Sequence, residues 1–421
     1  MTPTHRTALL LASAALLAAA APRGPFEMVL KDRDHASLGK KIGEYYEARS
    51  EMSGISEAKA ELGEAIAKLD KKLEKKDQGP VLAMHDDLAA SFAASKSVDG
   101  RPKTGKVTDA EYDAFWRATI EYAYHAPKGY KSKDGPVPLV LCIPDEGDEP
   151  GRYLDEDWNL PDLRNGVVLA AIQMPEDLEL WGVSNGLDTP GGVEAVMFAL
   201  RGVREKFIVD VDRIFLAGTG VGVGPAVTIA AMFPHIFAGV AGRQGDLADG
   251  SSPKNFRNLP CLFAGGGAKV TAFVDEAASL DYEGVVAQPD AKPEDVAAWI
   301  LETTRNANPV SLTFSPAARS GSCYWVNIDG FDPAESPEIT AIIDREKNAI
   351  AITSRGISTA TLFFNDALVD MDREVTVVCN GVEHKDTFGR SLTTALDQYY
   401  NSNDWSRVYT AIKPYDLPDT D

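Results

Sequence analysis

Gly218-Thr219-Gly220-Val221-Gly222 has the spacing of a nucleophile turn without the nucleophile. In the pattern Gly-x-Ser-x-Gly, a sharp strand-to-helix turn lifts a serine oxygen into an acyl-transfer site. Here the outer glycines stand at 218 and 222, and the serine position is Gly220. Glycine offers no atom to attack a carbonyl. Thr219 has a hydroxyl, but such a turn aims one residue and directs its neighbour elsewhere. Two other uses of glycine are excluded. Val223 breaks the dinucleotide fingerprint, and no Gly-Lys-Ser/Thr follows to hold a phosphate. Gly222 and Gly224 suit close packing of a helix on a sheet.

The other groups that could do chemistry are sparse. The six histidines are His5, His35, His85, His125, His235 and His384. Only His235 and His384 follow the glycine turn. His235 sits in Phe-Pro-His-Ile-Phe, where a solvated connecting turn is expected, and His384 sits on a hairpin near the end of the chain. Asp145, Glu146, Asp148 and Glu149, with Asp155, Glu156 and Asp157, form an acidic run. Carboxylates suit hard cations, but the run lacks the spacing of a calcium loop and reads as a solvated surface. Cys142, Cys261, Cys323 and Cys379 are widely spaced, with no Cys-x-x-Cys or Cys/His cluster. Cys142, Cys261 and Cys379 lie in apolar strand-like runs and read as buried free thiols. No metal and no cofactor is expected.

Elements must hold the turn in place. Ile214 to Ala217 reads as a buried strand feeding the turn, followed by a small-residue helix through Ala231. Val137–Ile143, Val167–Ile172, Phe237–Ala241 and Cys261–Ala264 read as further strands, the first as a central parallel strand. Gly191–Phe207 reads as a helix. Ahead of them, Thr108-x-x-Glu111 is a capping box that predicts a short helix carrying Tyr112, Phe115 and Trp116. Ile120, Tyr122 and Tyr124 then share one face of a strand. Strand and helix alternate from 120 to about 305, which predicts an α/β fold with a doubly wound, mostly parallel sheet.

Residues 37 to 97 read as helices. Ile55, Leu62, Ile66, Leu69 and Leu73 form one apolar stripe, Gln78-Gly79-Pro80 breaks it, and Val81, Met84, Leu88 and Phe92 form a second. A helical hairpin follows, packed on the main domain. Ser95 to Lys106 reads as a linker. After Arg305, short alternating runs at Val310–Phe314, Cys323–Ile328, Ile339–Ile343, Ala349–Thr353, Ala360–Phe364 and Val375–Cys379 predict a β-rich domain. Asn380-Gly381 is a type I′ hairpin signal. A helix at Ser391–Tyr400 and a strand at Val408–Ile412 close the chain. The predicted domains are 22–106 (hairpin and linker), 107–306 (α/β) and 307–421 (β-rich).

The segment Val209 to Gly245 resembles the core of bacterial α/β-hydrolases of the esterase, polyhydroxybutyrate-depolymerase-like and prolyl-oligopeptidase-like groups. The residues that carry the likeness are Asp210-Val-Asp212-Arg213-Ile-Phe-Leu, the glycine turn, and Ala230-Ala-Met-Phe-Pro234-His-Ile-Phe237-Ala-Gly239. Ala126-Pro127-x-Gly129-Tyr130 ahead of Pro138-Leu-Val-Leu adds to it. The resemblance covers about residues 120 to 305 and implies the fold. It also implies four catalytic elements, and each is altered. Gly220 replaces the nucleophile. The oxyanion segment corresponds to Ile143-Pro144-Asp145-Glu146-Gly147, where Pro144 lacks an N–H and the carboxylates oppose a developing oxyanion. The acid position becomes Lys269 in Gly266-Gly267-Ala268-Lys269, leaving Asp246 or Asp249 as substitutes. The histidine loop corresponds to Ile328-Asp329-Gly330-Phe331, which has no histidine. The expectation is a non-catalytic homologue that binds a small-molecule or protein ligand. The alternative is an active esterase or peptidase with unconventional residues, and a structural envelope or matrix protein is a third reading.

The chain has 421 residues, 44% hydrophobic and 25% charged, with a formal charge of −21. That charge disfavours nucleic acid and anionic lipid. His5 and Arg6, the apolar run Leu9–Ala21 and the small residues Ala19–Ala21 read as a cleaved export signal over 1–21. The protein is therefore expected outside the cytoplasm, with no membrane span and with protein contacts through the hairpin or the β-rich domain.

Overall fold

The computed structural model describes residues 28–98, 101–114, 118–174, 191–316 and 321–418. The export signal, Phe115 and Trp116 lie outside the described residues. The chain divides into two compact units: residues 97–307, and a second built from 1–96 together with 308–421.

Three helices open the chain: α1 (Asp32–Ser50), α2 (Ile55–Glu74) and α3 (His85–Ala94). Leu62, Ile66 and Leu73 of α2 and Leu88 and Phe92 of α3 are buried, so the two stripes are its inner faces. Helix α1 adds a third face of Leu38, Ile42 and Tyr45.

The unit 97–307 is an α/β-hydrolase-like fold. Its strands are β1 (Val107–Ala114), β2 (Ala118–His125), β3 (Val137–Ile143), β4 (Val168–Ile172), β5 (Val209–Thr219), β6 (Gly239–Arg243), β7 (Cys261–Ala264) and β8 (Val285–Ala287). They form one sheet in the order β1-β2-β4-β3-β5-β6-β7-β8. β1 and β2 pair antiparallel, β2 runs antiparallel to β4, and the rest are parallel. The helices are α4 (Pro150–Asp157), α5 (Pro161–Gly166), α6 (Gly192–Arg204), α7 (Val223–Met232), α8 (Ala268–Ser279) and α9 (Pro293–Glu302). All seven residues of β3 are buried. Leu139, Leu141 and Ile143 join a core with residues of α6, α7 and α8, while Val140 and Cys142 join a second with residues of α4 and α9. Alternate side chains of one strand thus fill both layers, as a sheet covered on both faces requires.

The helix expected from Thr108-x-x-Glu111 is strand β1. Its exposure alternates, with Asp109, Glu111 and Asp113 outward and Thr108, Ala110 and Tyr112 half-buried between them. Eight residues pair in register with β2, from Val107↔His125 to Ala114↔Ala118. A long ladder outweighs one cap signal, since local propensity is a weak prior against tertiary pairing.

The second unit carries a sandwich of two sheets. One is β10 (Ser322–Cys323), β11 (Val326–Phe331), β14 (Ile357–Phe364) and β17 (Ala411–Asp416). The other is β16 (Val382–Asp386), β15 (Val375–Cys379), β13 (Ala349–Arg355), β12 (Glu338–Asp344) and β9 (Ser311–Phe314). The run expected as one strand at Cys323–Ile328 is broken at Tyr324, whose φ is +51°. The closing strand starts three residues later than expected, at Ala411. Asn380 and Gly381 have φ of +46° and +88°, the geometry of a type I′ turn. Helix α10 (Leu392–Ser402) receives the N-terminal helices. Tyr46 Oη donates to the Leu396 carbonyl at 2.8 Å, Arg49 pairs with Asp397 at 2.6 Å, and Phe92 packs on Tyr399. The hairpin is therefore built into the unit that holds the sandwich.

All four cysteines are free and buried. Burial pushes the Cys379 thiol up to about 11 and the other three further. At neutral pH all four behave as small apolar side chains.

Candidate functional site: a filled elbow

Strand β5 ends at Thr219, the chain turns through Gly220–Gly222, and α7 begins at Val223. Gly220 has φ +55°, which a side chain would strain. The backbone is tightly packed at the glycines, although Val221 is exposed. A Cβ on Gly218 would lie 2.4 Å from the Gly222 carbonyl oxygen, and one on Gly245 would lie 1.9 Å from the Gly220 oxygen. These glycines are needed for close backbone approach.

The space beside Gly220 is taken by Asp145. A Cβ on Gly220 would meet the Asp145 carboxyl atoms at 2.1 to 2.2 Å. Asp145 Oδ1 accepts the Val221 N–H at 2.9 Å and the Glu146 N–H at 2.9 Å. An oxyanion hole at such an elbow is built from the N–H after the nucleophile and an N–H from the loop after β3. Those two positions here are Val221 and Glu146. Both N–H groups converge on a carboxylate of the chain itself, while Pro144 contributes none.

Thr219 turns inward. Its Oγ1 lies 2.6 Å from Tyr153 Oη in a contact between β5 and α4. Burial raises the Tyr153 pKa, so its hydroxyl stays protonated and cannot serve as a base. Asp246 faces the N-terminus of α8. Its Oδ1 accepts the Leu247 and Val270 N–H groups at 3.0 Å each, and its carboxyl fills the space beside Gly267. Lys269 is exposed and pairs with Asp249 at 2.7 Å. The bond to Asp249 raises the Lys269 pKa and lowers that of Asp249. Thus Asp145 is brought onto the elbow, whereas Lys269 and Asp249 form a surface pair of their own.

No histidine of this unit reaches the elbow. The turn follows the C-terminal end of β5. His125 ends β2, which is antiparallel to β4, and it pairs with Leu169 near the start of β4. His235 lies between α7 and the start of β6. Both are therefore at the opposite end of the sheet. His235 is not the solvated turn residue expected. It is buried, and its carbonyl accepts Arg305 Nη1, which the sequence gives no sign of. In the other unit, His35 bonds Asp87 at 2.8 Å, with Asp87 also holding the Val29 and Leu30 N–H groups. His384 lies on β16 with its ring against Tyr415. Ile328-Asp329-Gly330-Phe331 is part of β11 in the sandwich. Among the described residues, no group of three or more His, Cys, Asp or Glu is placed to hold a metal, and no helix is long and apolar enough to cross a membrane.

His125 acts on stability. It is 4% exposed, its Nδ1 has no partner among the described residues, and burial, with the nearby Arg164 charge, pushes its pKa down from 6.5 to about 4. The folded state holds it neutral while the unfolded chain protonates below about 6.5, so its contribution is full above that pH and is lost as pH falls towards 4. About 3 kcal/mol should disappear across that window. His125→Phe is expected to flatten this part of the stability–pH curve, measured by urea unfolding at pH steps between neutral and acid.

No family model matches the sequence, and no curated protein matches it. Among solved structures, a thermostable esterase is similar at 18% identity and a TM-score of 0.39, covering 48% of this chain and 64% of that one, so the chain spans a little under two thirds of it. A ferulic acid esterase is similar at 13% identity and TM-score 0.36, covering 46% and 94%. S-formylglutathione hydrolase (FrmB) from Staphylococcus aureus is similar at 10% and 0.35, covering 47% and 100%. These likenesses are loose, and the order and direction of the eight strands define the fold without them.

Proposed function

We propose that the protein is a non-catalytic α/β-hydrolase homologue, exported from the cytoplasm, that works by binding. The observation that carries this reading is the Asp145 carboxylate held by the Val221 and Glu146 N–H groups beside Gly220. Acyl transfer needs an attacking oxygen, a base, and donors aimed at a developing negative charge. Gly220 supplies no oxygen, and a carboxylate where the oxyanion would form repels it. The alternative, hydrolysis through Thr219, needs a base at its Oγ1, and the group at 2.6 Å is a protonated tyrosine. The apolar run Leu9–Ala21 supports export.

The test is hydrolysis of p-nitrophenyl esters and peptide anilides by the wild type, Gly220→Ser and Gly220→Ser/Asp145→Gly. All three are expected to be silent. The double variant restores an oxygen and frees the two donors, but no histidine of the unit lies at this end of the sheet. Wild-type turnover that survives repurification would overturn the reading. Turnover in the double variant alone would mean that only the nucleophile and the hole had changed.

A further inference from the structure

A basic surface stands at one end of the α/β unit, on two segments that lie side by side. Arg101, Lys103 and Lys106 are in the segment entering β1, and Lys128, Lys131 and Lys133 are in the turn after β2. Val107 pairs with His125, so both segments leave the same end of one antiparallel ladder. The Gly105 N–H donates to the Ala126 carbonyl at 2.8 Å, and the Gly129 N–H donates to Thr104 Oγ1 at 3.3 Å. Lys128 packs against Gly105, where an added Cβ would meet its Cβ and Cγ at 3.1 Å. The six side chains therefore belong to one surface, and all six residues are exposed. It lies at the end of the sheet where β2 stops and β4 starts, away from the elbow. A partner there is independent of whether the elbow is active.

Among the described residues, none of the six makes an ion pair. Asp134 is the one carboxylate in residues 101–106 and 126–134, and its Oδ2 accepts the Lys131 N–H at 3.0 Å. Elsewhere the chain pairs its cations readily, as at Arg152 with Asp148, Arg213 with Asp210 and Arg390 with Asp366. The formal charge of −21 counts against an anionic partner only where all of it is felt. Screening shortens that reach to about 8 Å at physiological ionic strength. A partner resting on this surface meets the six cations, while the acidic run that begins at Asp145 follows the far end of β3. All but Arg101 are lysines, which protein interfaces avoid, and neither segment exposes a large apolar side chain to anchor a folded partner. Their one ring, Tyr130, packs on Phe207 and its hydroxyl accepts the Ile208 N–H, so no ring is free to stack on a base. Mobile anionic headgroups ask only for positive charge close to them, and each lysine or arginine at a bilayer surface adds to the attraction.

We propose that this surface rests on an anionic lipid bilayer, reversibly and by charge alone, with the two lysine-bearing segments facing the headgroups. Co-sedimentation of the mature chain, from Pro22, with vesicles of equal phosphatidylglycerol and phosphatidylcholine tests it. Binding to these vesicles is expected, with none to pure phosphatidylcholine and none at about 0.5 M salt, where the screening length falls to a few ångströms. Lys128→Gln/Lys131→Gln/Lys133→Gln should weaken it by about tenfold or more. The same change of charge at scattered exposed lysines, Lys68→Gln/Lys292→Gln/Lys385→Gln, should leave it as in the wild type. An unchanged urea midpoint shows that each variant folds. Absence of binding to the anionic vesicles, equal weakening by the two triple changes, or duplex DNA bound more tightly than the vesicles would each overturn the proposal.

Discussion

Gly222→Ala is expected to cost the α/β unit more than about 3 kcal/mol or to prevent its folding. The added Cβ would sit 2.4 Å from the Ile143 carbonyl oxygen and 2.7 Å from that of Pro144. Both atoms are backbone at the end of β3, a strand paired on both sides, so neither can step aside. Gly220→Ala makes a useful contrast. The three atoms nearest its Cβ all belong to the carboxyl end of Asp145, which can rotate away. The cost there is the φ of +55°, about 1 to 2 kcal/mol, plus the bonds Asp145 gives up. Gly63→Ala, in the middle of α2 with nothing within 4 Å, should instead stabilise by about 0.5 to 1 kcal/mol. Urea unfolding followed by circular dichroism orders the three. Were Gly222→Ala as stable as the wild type, close backbone packing could not be the reason for the glycines at this turn.

That contrast also marks what the sequence makes legible. The elbow is legible because its cause is local: an apolar strand, a run of glycines and a small-residue helix are adjacent in the chain. β3 is legible because a strand buried on both faces must be apolar throughout. β1 is not, because only half its residues face inward and its charges satisfy a helix cap equally well. The filling of the elbow is legible only in part. The acidic segment after β3 can be placed opposite the turn. That Asp145 bends back to the Val221 N–H, 76 residues away, depends on the fold. The union of the N-terminal helices with the sandwich depends on contacts such as Tyr46 to Leu396, 350 residues apart, and leaves no mark on local pattern.

Asp212→Ala should destabilise the α/β unit by about 1.5 to 3 kcal/mol, the usual worth of hydrogen bonds to a charged group. The side chain of Arg305 is 1% exposed, just beyond α9. Asp212 Oδ1, on β5, accepts its Nη2 at 2.8 Å and its Nε at 3.1 Å, while the His235 carbonyl accepts Nη1. One guanidinium therefore joins the central strand, the turn after α7 and the chain leaving α9. Without Asp212 the guanidinium loses both bonds to that carboxylate, and because the Asp212 side chain is itself 31% exposed, water entering from that side offsets part of the loss. Replacing both partners removes the charge along with its need, so Asp212→Ala/Arg305→Met should cost less than Asp212→Ala alone. A double-mutant cycle by urea unfolding measures the difference. A double variant as unstable as the sum of the two single changes would mean that Arg305 acts through packing alone, and that the buried turn at His235 is held by its apolar neighbours rather than by this ion pair.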